Sequence, residues 1–483
     1  MNNRMEDGIT ATQAMGSNLL ARIRRLKTLW RDIAGSSRDS GVLALAANLP
    51  DEDIVRLRDQ LNDCLTAKGG EVSSRVRAAA LGREYLSLNP AGRKRFLALL
   101  AREFGPDRAA VDSAAAQLEV AADDKQRLAA ERALRAALEP PRLRLLTQFN
   151  GLPEGVKFLV DLRAEMLNVV GDDPALAAME GDLKGLLAAW FDVGFLELAR
   201  ISWRSPANIL EKIMAYEAVH AIQGWDDLKN RLDDADRRLY AFFHPRMPDE
   251  PLIFVEVALT RGIAGDIHEL LDPHAPVGNA AGADTAIFYS INNAQKGLAG
   301  ISFGNFLIKR VVEELSREFE RVKVFSTLSP IPGFRSWLDQ RFAEGGAGLL
   351  TVAETKALSQ IGKRLGADRS FKALLAEPNW HAEPQMSEVM KGPLTRLAAR
   401  YLVNEKRGKG RAVDPVAHFH LSNGARVERL NWLADTSPKG LAQSCGLMVN
   451  YLYKLDAIEA NHESYSGAGK VSTSSDIKAL LKV

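Results

Sequence analysis

The sequence predicts an α+β protein, with an all-α helical bundle over residues 1–187 and a mixed α/β part over residues 188–483. Three observations carry this. The first part alternates strong helix formers with proline and glycine breaks. Short runs rich in β-branched and aromatic residues begin only after Pro245. All eight histidines lie at or after His220, and Trp30 and Tyr85 are the only tryptophan and tyrosine before Trp190.

The first part reads as a bundle from its punctuation. Residues 19–30 (LLARIRRLKTLW) are basic and amphipathic, somewhat like a targeting presequence. Glu6 and Asp7 lie upstream, where presequences avoid acids, so a first helix packed on the bundle is expected. Residues 93–104 (RKRFLALLAREF) place apolar side chains at helical spacing. Residues 113–138 form one continuous stretch of helix-forming residues, stopped by Pro140 and Pro141. No metal-ligand spacing or glycine-rich loop occurs in this part.

From Ala188 the texture changes. Residues 190–203 are dense in aromatics, and Ser205-Pro206 opens a helix to about Val219. Strands are predicted over 252–260 (LIFVEVALT), 285–291 (TAIFYSI) and 322–328 (VKVFSTL). Histidine is the side chain whose unperturbed pKa lies near neutrality, so the chemistry is expected in this part.

Bulk properties exclude several classes. A formal charge of +2 does not fit a polybasic nucleic-acid binder. A composition of 46% hydrophobic and 26% charged residues is that of a globular chain, not of a disordered one. No apolar run is long enough to span a membrane. Cys64 and Cys445 cannot make a disulfide framework, which points to buried free thiols and a cytoplasmic location.

The most informative stretch runs from the strand at 285 through Asn292-Asn-Ala-Gln-Lys-Gly-Leu-Ala-Gly-Ile-Ser-Phe-Gly304 into a helix. Phe306, Leu307, Val311, Val312, Leu315 and Phe319 share one helical face. Gly297, Gly300 and Gly304 let backbone N–H groups approach an anion at the helix start. The spacing is neither a Walker A loop nor a Rossmann fingerprint. A strand, loop and helix that offer amides to a pyrophosphate resemble the coenzyme A loop of the GNAT acyltransferase fold.

Two further segments carry polar chemistry. In Leu328-Ser329-Pro330-Ile-Pro332-Gly333-Phe334, two prolines stiffen the backbone around one hydroxyl at a strand end. It is not a nucleophile elbow, because G-x-S-x-G is absent. His418-Phe-His420-Leu-Ser-Asn423-Gly424-Ala425 reads as a strand entering an Asn-Gly turn, with His418 and His420 on one face. A third ligand with metal spacing is lacking, so no metal is expected.

In this order, Phe288–Ile291, Gly304–Arg310, Leu328–Phe334, His420–Ala425 and Ser444–Tyr451 resemble the malonyl-CoA decarboxylase family. The resemblance is strong over residues 186–465. It implies a helical domain used in oligomer assembly (1–187) and a GNAT-like catalytic domain (188–483). It places the catalytic serine at Ser329 and the catalytic histidine at His420. A tyrosine near the acyl site falls on Tyr453. The CoA-binding loop falls on Ala299, Gly300, Ile301, Ser302, Phe303, Gly304 and Asn305. Ser302, Phe303 and Asn305 depart from the animal members, which bears on side-chain roles in the loop but not on its amides. His418 has no catalytic role in the family. The chain ends Leu-Leu-Lys-Val and not in a peroxisomal Ser-Lys-Leu, so peroxisomal import is not expected.

Malonyl-CoA carries its own electron sink, so neither metal nor organic cofactor is expected. Oriented donors at a developing oxyanion lower a barrier by about 2.7–4 kcal/mol, and a positioned acid adds roughly 10²–10⁴-fold. His420 is the expected proton donor. Ser329 is expected to bind the carboxylate or thioester oxygen, or to relay a proton. The competing readings are a GNAT-type N-acyltransferase, a thioester hydrolase using Ser329 and His420, and a non-enzymatic assembly protein. The expected partners are malonyl-CoA, acetyl-CoA and further copies of the chain, as a dimer or tetramer.

Overall fold

The computed structural model describes residues 24–33, 45–66, 71–233, 235–301, 306–364 and 370–482. The chain forms two compact units. One comprises residues 1–197 with 243–252 and 293–302; the other comprises 198–242, 253–292 and 303–483.

The first unit is built on helices, as its composition predicts. The helix over 24–33 buries Leu26 and Trp30. The indole of Trp30 packs edge-on to Phe158 at 5.0 Å and donates to the Pro153 carbonyl at 3.0 Å. Phe149 stacks on Phe158 at 4.9 Å, and Tyr85 meets Phe96 at 5.1 Å, completing an aromatic core. Burying each such side chain contributes roughly 1.5–3 kcal/mol. The basic segment at 24–30 is thus a packed helix, and residues 19–23 lie outside the described residues.

Asn89 caps Pro90–Glu103 through Gly92 N–H, with proline at the first helical position. The stretch expected as one helix over 113–138 is instead two, Arg108–Glu119 and Asp124–Leu138. The side chain of Asp123 accepts from Gln126 N–H and restarts the helix. An N-cap there outweighs the helix propensity of the flanking alanines.

The second unit is organised by a mixed sheet. Its strands are β1 (Glu197–Ile201), β2 (Arg237–Phe243), β3 (Ile253–Thr260), β4 (Thr285–Asn293), β5 (Val324–Thr327), β6 (Ser329–Pro330), β9 (Arg426–Asn431) and β10 (Met448–Leu452); β7 (Lys406–Arg407) and β8 (Arg411–Ala412) form a separate ribbon. The sheet order is β1-β2-β3-β4-β5-β10-β6, with β9 beside β10. β4 and β5 run parallel and are joined through the helix Phe306–Glu318. Leu307, Val311, Val312 and Leu315 are buried on that helix as expected, and Ile308 joins them. All three strands predicted from sequence are present as β3, β4 and β5. The outcome is the expected α+β fold, a helical bundle followed by a mixed α/β, GNAT-like part. Cys64 and Cys445 are buried and free, and burial pushes both thiols up to about 11. Among the described residues no helix is long and apolar enough to cross a membrane.

Candidate active site

β5 and β6 are one run of chain interrupted at Leu328. Antiparallel β10 spans both, pairing Leu452 with Ser326 and Val449 with Ser329. Leu328 N–H turns away to the Phe288 carbonyl of β4 at 3.0 Å. Side chains fill the gap in the ladder. Thr327 Oγ1 accepts the Tyr451 N–H at 3.0 Å, and Asn450 Nδ2 donates to the Thr327 carbonyl at 2.6 Å. A buried, interrupted ladder needs such substitutes, because an orphaned amide costs about 1–3 kcal/mol.

Ser329 sits at this interruption, 5% exposed. Its Oγ donates to Thr327 Oγ1 at 2.9 Å and lies 3.3 Å from His420 Nε2. His420 Nδ1 lies 2.7 Å from the Tyr453 hydroxyl. The structure therefore brings together Ser329, His420 and Tyr453, which the sequence places far apart.

The histidine segment corrects the sequence reading. Residues 418–420 are not a strand: Pro415–Ser422 is an α-helix. Two residues apart on a helix, His418 and His420 face different ways. His418 Nδ1 meets the Tyr465 hydroxyl at 2.9 Å, whereas His420 points at Ser329. Alternating aromatic and polar residues imitated a strand. The overlooked signal was Asp414-Pro415, an N-cap followed by proline at the first helical position.

Asp414 is fully buried and holds the Ser329 and His420 segments together. Its Oδ1 accepts from Val416 N–H at 3.0 Å and Ala417 N–H at 2.9 Å, capping the histidine helix. Its Oδ2 accepts from Gly333 N–H at 3.3 Å, at the end of the turn that follows Ser329. Burial is the largest influence on this carboxyl and raises its pKa, while the amide donors oppose it. Sequence reasoning passed over Asp414 and Thr327, since neither belongs to a motif with characteristic spacing.

The imidazole is sheltered. Tyr451 stacks on His420 at 4.6 Å with planes 22° apart, and Phe288 packs edge-on to Tyr453 at 6.3 Å. Burial lowers the pKa of His420 to about 3 and raises that of Tyr453 above the ordinary phenol value. At neutral pH the pair is thus a neutral imidazole and a neutral phenol. Ser329 spends its proton on Thr327, so it accepts from Nε2–H, which leaves Nδ1 bare to take the Tyr453 proton. This assignment follows from the hydrogen-bond network. It yields a chain with one direction: Tyr453 to His420 to Ser329 to Thr327.

The expected CoA loop is described in part. Ala299 (φ −55°, ψ 132°) and Gly300 (φ +72°) form a type II turn closed by Ile301 N–H to the Leu298 carbonyl at 3.0 Å. Only glycine adopts that positive φ without strain. Ser302, Phe303, Gly304 and Asn305 lie outside the described residues.

A family model described as "Malonyl-CoA decarboxylase C-terminal domain" matches residues 194–483, and one described as "Malonyl-CoA decarboxylase N-terminal domain" matches residues 104–191. The chain belongs to the malonyl-CoA decarboxylase family. It is 37% identical to "Malonyl-CoA decarboxylase, mitochondrial" of Anser anser anser over 480 residues, covering 96% of this chain and 94% of that protein. With the protein of the same name from Rattus norvegicus it shares 40% identity over 437 residues, covering 87% of this chain and 85% of the relative. The crystal structure of malonyl-CoA decarboxylase from Rhodopseudomonas palustris superposes with a TM-score of 0.81 at 43% identity, covering 89% of this chain and 99% of that one. These relatives correct one expectation: both animal proteins are named mitochondrial, so the cytoplasmic location read from the two cysteines does not stand.

Proposed function

We infer that the chain is a carboxy-lyase that converts malonyl-CoA to acetyl-CoA and CO2, with Ser329, His420 and Tyr453 as its catalytic chain. The observation that carries this reading is a neutral, buried His420 with Nε2 3.3 Å from Ser329 Oγ, in a chain of the malonyl-CoA decarboxylase family.

The bond between the carboxylate carbon and the α-carbon breaks, CO2 leaves, and its electron pair delocalises onto the thioester oxygen as an enolate. When substrate binds, the Ser329 O–H turns from Thr327 Oγ1 to that oxygen, where charge develops. His420 delivers the Nε2 proton to the α-carbon. Tyr453 gives its proton to Nδ1 in the same event, so no imidazolate is left; a solvent proton taken up at Nε2 then sends the Nδ1 proton back to Tyr453 and restores both groups. One solvent proton is consumed for each CO2 released.

A hydrolase would need the opposite tautomer, with Nε2 bare to take the serine proton. The Ser329 to Thr327 hydrogen bond favours the decarboxylase arrangement. Residues Ala299 to Asn305 are proposed as the CoA-binding loop, with residues 1–187 serving assembly and 188–483 catalysis. Metal and organic cofactor are not required by this chemistry. Self-association as a dimer or tetramer is proposed from the helical part, and sedimentation of the purified chain tests it.

The test of function is product analysis with purified protein. Malonyl-CoA should give equal amounts of acetyl-CoA and CO2, with the rate unaffected by a chelator. Release of free CoA thiol with malonate, or acetyl transfer to an added amine without CO2, would overturn the reading.

A further inference from the structure

Arg163 lies on the helix Gly155–Val169 with 2% exposure, and all three guanidinium nitrogens donate hydrogen bonds. Nε and Nη2 donate to Glu180 Oε1 at 2.9 and 2.6 Å. Nη1 donates to the Gly297 carbonyl at 2.6 Å, and Nη2 to the Ala299 carbonyl at 2.9 Å. Gly297 is pressed onto the same helix: a Cβ there would lie 1.7 Å from the Val160 carbonyl oxygen. All these residues belong to the first compact unit.

This clamp has a consequence for the turn. A trans peptide is planar, so holding the Ala299 carbonyl on Arg163 forces the Gly300 N–H to face the opposite way. The N–H groups of Leu298, Ala299 and Ile301 are spent on the carbonyls of Gln295, Lys296 and Leu298. The Gly300 N–H has no such acceptor among the described residues. A cationic donor on the carbonyl polarises the amide and strengthens its N–H as a donor.

Lys184, half-buried on the helix Pro174–Trp190, reaches the same corner: a Cβ on Gly300 would lie 3.1 Å from its Nζ. Neighbouring cations of the unit are neutralised, Arg163 by Glu180, Lys157 by Asp161 and Arg142 by Asp182. Lys184 makes no ion pair among the described residues. An ammonium and a polarised amide, neither with a partner among the described residues, therefore stand side by side, which is the donor set a phosphate group satisfies.

We propose that Lys184 and the Gly300 amide form a phosphate-binding corner for the CoA moiety, with Arg163 as the residue that positions the turn. The proposal rests on the CoA reading and gives the helical part a role in ligand binding as well as assembly. It also gives Gly300 a second constraint beside its positive φ, since any side chain there would crowd the lysine.

The experiment is calorimetric titration of the full chain with CoA and with 3′-dephospho-CoA. Lys184→Ala should weaken CoA binding about tenfold or more, the order expected for a charge-assisted hydrogen bond, and Lys184→Arg should restore most of it. If the loss persists with 3′-dephospho-CoA, the group bound is the pyrophosphate; if it vanishes, it is the 3′-phosphate. Arg163→Lys keeps a charge opposite Glu180 but cannot bridge both carbonyls, so it should weaken CoA while the thermal midpoint of the Lys184 variants stays at the wild-type value. Wild-type affinity in Lys184→Ala would overturn the corner, and wild-type affinity in Arg163→Lys would overturn the positioning role. Because CoA binding is read without turnover, CoA bound with no decarboxylation would sink the proposed function alone, and no CoA binding by the wild-type chain would sink both.

Discussion

Tyr453 Oη lies 2.7 Å from His420 Nδ1, across the imidazole from Ser329, so the phenol donates to the ring nitrogen that Ser329 leaves bare. Removing that hydroxyl takes away the proton that replaces the one leaving Nε2. Tyr453→Phe should lower kcat about 10–100-fold, the equivalent of one strong hydrogen bond in the transition state. KM for malonyl-CoA should change little. Nitrogen chemical shifts of the His420 ring would show whether the tautomer has changed with it.

His420 also makes a pH prediction. Its pKa is lowered to about 3 by burial, so its neutral form prevails throughout the ordinary working range. The rate should therefore show no acid limb near pH 6.5 from this residue. Stability has the opposite sensitivity. The unfolded histidine takes a proton below about pH 6.5 and the folded one only near 3, so stability is fully present above 6.5 and is lost as pH falls across that window. His220, lowered to about 4 by burial, adds to the same slope. Chemical denaturation at pH 7 and pH 5 should show a smaller difference in His420→Phe than in the wild type.

Thr327 holds Ser329 and the Tyr451 amide on one oxygen. Thr327→Val keeps the shape but orphans a buried N–H, at a cost of about 1–3 kcal/mol. Thermal unfolding should register that loss, and turnover should fall with it because Ser329 loses its acceptor. Thr327→Ser should recover both.

Asp414 joins the histidine helix to the turn after Ser329. Asp414→Ala removes an N-cap worth about 0.5–2 kcal/mol and releases Gly333, so both stability and kcat should drop. Asp414→Asn retains an acceptor for the helix amides and should recover more stability than activity. Equal recovery of the two would mean that Asp414 acts on the fold alone.

Much of the architecture was legible because periodicity and punctuation agree with packing. Short apolar runs rich in β-branched and aromatic residues marked β3, β4 and β5, and the amphipathic face of Phe306–Glu318 marked the helix between the parallel strands. Ser329 stood out through its two prolines. What stayed hidden is tertiary. No local pattern says that Thr327 Oγ1 will replace a ladder carbonyl, or that Arg163 will reach across 134 residues to Gly297. The His418–His420 segment misled because its side-chain alternation is read before its cap. The split at Asp123 is hard to see in sequence because alanine-rich composition masks a single capping residue, which the structure uses.

In the proposed reaction the buried His420 delivers the proton that completes decarboxylation. The most direct measurement is steady-state turnover of malonyl-CoA by His420→Ala beside the wild-type chain, with folding checked by thermal unfolding. A folded variant should lose roughly 10²–10⁴-fold in kcat. A folded variant that retains full turnover would contradict the claim.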